Sequence, residues 1–158
     1  GLYLSQQDSD KRVAIYGAGS AGIQLASALR VSQEMEPIAF VDNNQSLHGT
    51  YLAGIKVLHP DKLKKLAQSG KIDEVLIAMP SASKSILRSL LKKIEDYSLK
   101  VRILPGLADL AQGKISVSEL KEVDITDLLG RYEVAAKHNI INKNIKDKVI
   151  ESLVHKAK

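Results

Sequence analysis

Residues 12–22 read Arg-Val-Ala-Ile-Tyr-Gly-Ala-Gly-Ser-Ala-Gly, a short apolar run that ends in Gly-x-Gly-x-x-Gly and then becomes helical. About twenty residues further on, a second apolar run, Pro37 to Val41, ends in Asp42. Together these features mark a βαβ unit with a nucleotide-binding crevice at its carboxyl end. Each part has a mechanical task. Gly17 lets the chain turn tightly off the strand, Gly19 lets the backbone come close to a pyrophosphate, and Gly22 lets the new helix pack on the strand. Ala18, Ser20 and Ala21 complete the loop, and the free N–H groups at the helix start face the anion. Asp42 is placed to accept hydrogen bonds from ribose hydroxyls.

The flanking residues agree with this reading. Val13, Ala14 and Ile15 suit a buried strand. Ile23, Leu25, Ala26, Ala28 and Leu29 put apolar side chains at helical spacing. Further along, Ile55, Val57 and Leu58 alternate as a short strand after a glycine-bounded loop, Gly49 to Gly54. Asp61 is expected to cap a helix through Leu63, Leu66 and Ala67 that ends at Gly70. Val75 to Met79 is the most strand-like segment of the chain. After it, Ser81 to Ser85 should begin a helix carrying Ile86, Leu87, Leu90, Leu91 and Ile94. Val101, Ile103 and Leu104 form the next strand, ended by Pro105-Gly106.

Strands alternating with helices predict an α/β, Rossmann-like doubly wound fold with a mainly parallel sheet of about five strands. Short extra β elements are expected between Gly113 and Val123. Residues 1–10 read as a polar lead-in, 11–131 as one nucleotide-binding domain, and 132–158 as a linker and tail.

A chain of 158 residues suits one domain with a substantial core. The net charge of +5 is unevenly spread. Residues 1–131 hold 17 Lys/Arg against 15 Asp/Glu, or +2, while residues 132–158 hold 6 against 3, or +3. With one Phe, no Trp and no basic stripe beside aromatics, nucleic acid is not an expected partner. No apolar run reaches membrane-spanning length and no signal-peptide pattern opens the chain. The absence of cysteine is compatible with the cytosol, and a cytoplasmic domain without membrane contact of its own is expected.

In open α/β sheets the ligand lies outside the carboxyl ends of the strands, where strand order reverses. Gly17 to Gly22 is then one wall and Asp42-Asn43 the second. Ala78, Met79, Pro80 and Ser81 should face the same crevice, although Pro80 and Ser81 equally suit a helix start. A carboxylate at Asp42 accepts from a free 2′-hydroxyl and repels a 2′-phosphate, and Asn43, Asn44 and Gln45 supply no arginine to receive one. NAD is favoured over NADP.

Catalytic groups are missing. Four residues after Tyr3, Tyr16, Tyr51, Tyr97 and Tyr132 stand Gln7, Ser20, Ile55, Val101 and Ala136, so no Tyr-x-x-x-Lys pair exists. His48, His59, His138 and His155 show no metal-ligand spacing, and His59 before Pro60 reads as a surface loop residue. No Gly-x-Ser-x-Gly elbow occurs. No catalytic residue and no metal site is expected.

Several segments taken together carry a resemblance: Val-Ala-Ile-Tyr-Gly-Ala-Gly-Ser-Ala-Gly, Ala-Phe-Val-Asp-Asn, Val-Leu-Ile-Ala-Met-Pro-Ser-Ala, Val-Arg-Ile-Leu-Pro-Gly and Ile-Thr-Asp-Leu-Leu-Gly-Arg. Over residues 12–131 the chain resembles the N-terminal Rossmann (CoA-binding-like) domain of bacterial polysaccharide-biosynthesis proteins. These are nucleotide-sugar dehydratases and epimerases of the UDP-N-acetylglucosamine 4,6-dehydratase and UDP-quinovosamine 4-dehydrogenase type. Asp127-Leu128-Leu129-Gly130-Arg131 is the most specific element.

The resemblance implies a membrane-anchored parent on the cytoplasmic side of the inner membrane, with a catalytic domain of the same polypeptide after this one. Ile145 to Ile150 looks like the entrance to that domain, but Glu151-Ser152-Leu153 stands where its Val-Thr-Gly-Ala should follow. The expectation is therefore a non-catalytic NAD-binding domain, inactive alone, with the catalytic domain as partner. A UDP-sugar ligand, a structural or homo-oligomerising role, or a membrane sugar-phosphate transferase parent are the alternatives.

Overall fold

The structure, a computed structural model, describes residues 11–106 and 114–134. Among these, seven strands form one sheet: β1 (Arg12–Tyr16), β2 (Glu36–Val41), β3 (Tyr51–Leu52), β4 (Ile55–Leu58), β5 (Glu74–Ile77), β6 (Lys100–Ile103) and β7 (Lys121–Val123). The order is β3-β4-β2-β1-β5-β6-β7. The inner five run parallel, while β3 and β7 lie antiparallel at the two edges. The expected parallel core of five strands is present, and the extra β element near the C-terminal end is β7. The lead-in at 1–10 and the segment at 145–150 lie outside the described residues.

Three helices connect the strands, α1 (Ser20–Ser32), α2 (Asp61–Gln68) and α3 (Lys84–Ile94), and a fourth, α4, runs over 125–134. Both faces of the sheet are covered, which is why β1 is a continuous apolar run. Val13 and Ile15 point to one face, against Leu25, Ala26 and Leu29 of α1. Ala14 and Tyr16 point to the other, with Leu63 of α2 and Leu91 and Ile94 of α3. Leu129 of the Asp127–Arg131 segment packs into this second core, so that motif serves in part to seat α4.

Two local expectations are corrected, and a third, the helix start within Ser81 to Ser85, is located. The segment Gly49 to Gly54 is not only a loop. It contains β3, which forms a hairpin with β4 through Ala53 (φ 52°) and Gly54 (φ 76°). Both central turn residues have positive φ, as a tight hairpin turn requires.

Asp61 does not cap α2. It is the first helical residue, and its amide donates to Nδ1 of His59 at 3.0 Å. His59 is therefore a capping residue and not merely a loop residue, and Asp61 instead pairs with Lys93 at 3.8 Å.

Helix α3 begins at Lys84, where the hydroxyl of Ser83 accepts the Ile86 amide at 3.2 Å. Pro80 and Ser81 sit before it in a turn closed by the Ala82 amide on the Met79 carbonyl at 3.0 Å. That turn leaves Ser81 available to the crevice.

Candidate functional site

Strand order reverses between β1 and β5. From β1 the chain goes outward through β2 to β4, then returns through α2 to the opposite neighbour of β1. The carboxyl ends of β1, β2 and β5 consequently splay apart around an opening. A cavity of about 350 Å³ lies there. Gly17, Gly19, Ser20 and Ala21 line it from the first loop, Asp42 from the end of β2, and Ala78 to Ala82 from the end of β5.

Each glycine of the loop answers a different constraint. Gly17 has φ +114°, and a Cβ there would lie 2.5 Å from the carbonyl oxygen of Ala78. The first turn off β1 thus needs glycine both for its conformation and for its closeness to β5. A Cβ on Gly22 would overlap the Gly17 carbonyl oxygen, so α1 packs on the loop only without a side chain. Gly19 is the opposite case, since a Cβ there would meet nothing within 4 Å. Its missing side chain opens the cavity and is not demanded by packing.

Gly19 is the N-cap of α1 and gives no side-chain cap. The first amides of the helix are therefore left facing the opening, with the positive end of the helix dipole. Ser20 adds a hydroxyl whose oxygen accepts from Gln24 Nε2 at 2.9 Å, leaving its own proton to donate.

Asp42 is held firmly. One carboxylate oxygen accepts the Ala18 amide and the other the Asn44 amide, both at 2.8 Å. Its carbonyl oxygen lies 2.6 Å from Nε2 of His48. A carbonyl only accepts, so Nε2 carries the proton. The His48 ring meets His59 edge to face, with centroids 5.0 Å apart. A carboxylate offers about four acceptor positions, so ligand hydroxyls still find room on Asp42.

Of the residues expected at the site, Gly17, Gly19, Ser20, Ala21, Asp42, Ala78, Met79, Pro80 and Ser81 come together on the cavity wall. Ala18 and Gly22 lie behind it, as the partner of Asp42 and the packing contact of Gly17. The side chain of Asn43 is engaged elsewhere, its oxygen accepting the Tyr16 hydroxyl at 3.1 Å. Burial, and then Asp42, push the Tyr16 phenol up to about 12.

Three lining residues were not expected: Gln24, Ala82 and Ile115. Gln24 follows Ser20 at helical spacing, a signal the sequence did carry. Ile115 arrives from the segment after β6, and no local pattern announces it. No group of three or more His, Cys, Asp or Glu is placed to hold a metal among the described residues. No helix among them is long and apolar enough to cross a membrane.

Fold and cavity define a Rossmann-like α/β domain with its opening at the β1/β5 switch point. The C2185-like, N-terminal family matches residues 9–100, and the chain belongs to that family. It is 43% identical to the solved UDP-D-quinovosamine 4-dehydrogenase of Vibrio fischeri, covering 77% of this chain and 99% of that one with a TM-score of 0.68. It is 28% identical over 145 residues to the probable polysaccharide biosynthesis protein EpsC of Bacillus subtilis, covering 90% of this chain and 24% of that protein. Against the capsular polysaccharide biosynthesis protein CapD of Staphylococcus aureus it is 27% identical over 152 residues, covering 94% of this chain and 25% of that protein. The chain thus spans about a quarter of the length of these curated relatives. The resemblance to N-terminal domains of polysaccharide-biosynthesis proteins holds.

Proposed function

We propose that this chain is the dinucleotide-binding, non-catalytic domain of a nucleotide-sugar-modifying protein of surface-polysaccharide biosynthesis, with NAD as its ligand. One observation carries the reading: Gly19, whose missing Cβ leaves open space, sits in the cavity wall beside the helix amides and across from Asp42. Gly17 to Ala21 would hold the pyrophosphate and Asp42 the ribose hydroxyls. NAD, when bound, supplies a hydride-accepting ring. Among the described residues lining the cavity only Asp42 is ionisable, and both its oxygens already accept backbone amides. Among the described lining residues no second ionisable group stands beside Asp42 to move a proton during turnover, which supports a binding role for this domain, with catalysis elsewhere in the polypeptide.

A UDP-sugar is the second reading, favoured by the UDP-sugar named for the Vibrio fischeri relative. The test is thermal stability of the 158-residue chain with NAD, NADP, UDP-N-acetylglucosamine and coenzyme A in turn. A ligand at a hundred times its Kd adds about 2.7 kcal/mol. The largest shift is expected with NAD, and no shift with any of the four at millimolar concentration would sink the nucleotide reading. Turnover of UDP-sugars by the chain alone would sink the non-catalytic one.

A further inference from the structure

We propose that the cavity selects ligands whose phosphates are all bridging diesters and rejects those that carry a terminal phosphate. The inference rests on the nucleotide-binding reading above and narrows it to one chemical class. It covers NAD, nucleotide-sugars and dephospho-coenzyme A, and leaves out NADP, free nucleoside diphosphates and coenzyme A.

The argument is one of charge. Among the described residues lining the cavity, the one ionisable side chain is Asp42, and it is negative. Lys114, next to the wall residue Ile115, is exposed and not part of the lining. Residues 107–113 contain no Lys, Arg or His in their sequence. Among the described residues, everything on the wall that can meet an oxyanion is a neutral donor: loop and helix amides, the Ser20 hydroxyl that Gln24 leaves free to donate, and Ser81. The dipole at the start of a helix is equivalent to roughly half a positive charge.

A bridging phosphate carries one negative charge and suits such donors. A terminal phosphate carries about −1.5 to −2 near neutral pH and is matched by Arg or Lys where proteins bind it well. Among the described lining residues it would meet no cation, and a carboxylate stands on one side. On the other side stand Ala78, Met79, Pro80, Ala82 and Ile115, which cannot replace its water.

The experiment is calorimetry of the 158-residue chain with three pairs: NAD and NADP, UDP-N-acetylglucosamine and UDP, dephospho-coenzyme A and coenzyme A. In every pair that binds, the diester is expected to bind about tenfold or more tightly. Equal affinities, or a preference for the terminal phosphate, would overturn the inference and leave the nucleotide reading standing. No binding by any of the six at millimolar concentration would remove both.

Gln24→Lys tests the cause, because it puts a cation at the exposed mouth of the cavity without touching the core. It is expected to narrow the preference by about tenfold while circular dichroism stays unchanged. A preference that Gln24→Lys leaves intact would mean that charge is not its origin, and would overturn the inference.

Discussion

The Asp42 carboxylate accepts the Ala18 amide at 2.8 Å, so the residue that follows β2 also fixes the loop that follows β1. Its second oxygen fixes the Asn44 amide at the same distance. Asparagine has one side-chain acceptor oxygen and cannot serve both amides equally. Asp42→Asn is expected to lower the stability of the ligand-free chain by roughly 1–2 kcal/mol and to weaken NAD about tenfold. Urea unfolding measures the first effect and calorimetry the second. Unchanged unfolding would mean that Asp42 does not organise the loop.

Gly19 and Gly22 should behave differently although they belong to one motif. Gly19→Val adds a side chain to open space in an extended backbone, so the melting temperature should move by only a few degrees while nucleotide binding is lost. Gly22→Ala drives a methyl group into the Gly17 carbonyl oxygen and is expected to cost about 3 kcal/mol or more. Retained binding in Gly19→Val would mean that the ligand avoids the loop.

Glu74 is 3% exposed at the start of β5, and its carboxylate lies 2.9 Å from Nε of Arg102 and 3.9 Å from Lys11. Removing one partner of a buried pair leaves an uncompensated charge. Arg102→Ala is expected to destabilise the fold by roughly 2–3 kcal/mol, somewhat less than a fully buried pair, because Lys11 remains. A double replacement, Glu74→Leu with Arg102→Leu, should recover most of that loss in chemical denaturation. A double variant as weak as the single one would contradict the account.

The Tyr16 phenol titrates near 12 in the folded chain against an ordinary 10.0, because burial, and then Asp42, disfavour the phenolate. The folded state therefore holds its proton where the unfolded state releases it. The stabilisation is complete below pH 10 and is lost as pH rises from about 10 to about 12, on the order of 2–3 kcal/mol in all. Tyr16→Phe should flatten this alkaline loss. It should also cost about 1 kcal/mol at neutral pH through the missing bond to Asn43. Unfolding free energies measured at pH 8, 10 and 11 provide the comparison.

Much of this architecture was legible because it is written in local spacing. The run from Arg12 to Gly22 gives strand, turn and helix start in order, and the alternation of Ile55 and Val57 gives β4. What escaped depends on contacts between distant or unusual partners. The hairpin that holds β3 turns through Ala53-Gly54, and alanine gives no hint that its φ will be positive. The start of α2 is capped by a histidine side chain where the usual reading looks to Asp61.

At the site, the glycine loop, Asp42 and residues 78–81 could be read from the chain, since they end successive strands. Ile115 could not. It lines the cavity because the turn at Val117–Glu119 lies against α1, with Ile115 and Val117 packed beside Leu104 and Leu120, contacts far apart in sequence.

The two antiparallel borders of the sheet have a consequence for the solubility of the molecule. A parallel sheet with open margins offers unpaired amides and carbonyls on which foreign strands can dock. Among the described residues one margin is β3, only two residues long. The other, β7, displays Lys121 and Glu122, with Glu122 paired to Lys100 at 3.3 Å across the ladder. Short length at one border and charge at the other guard the apolar strands between them against edge-to-edge aggregation.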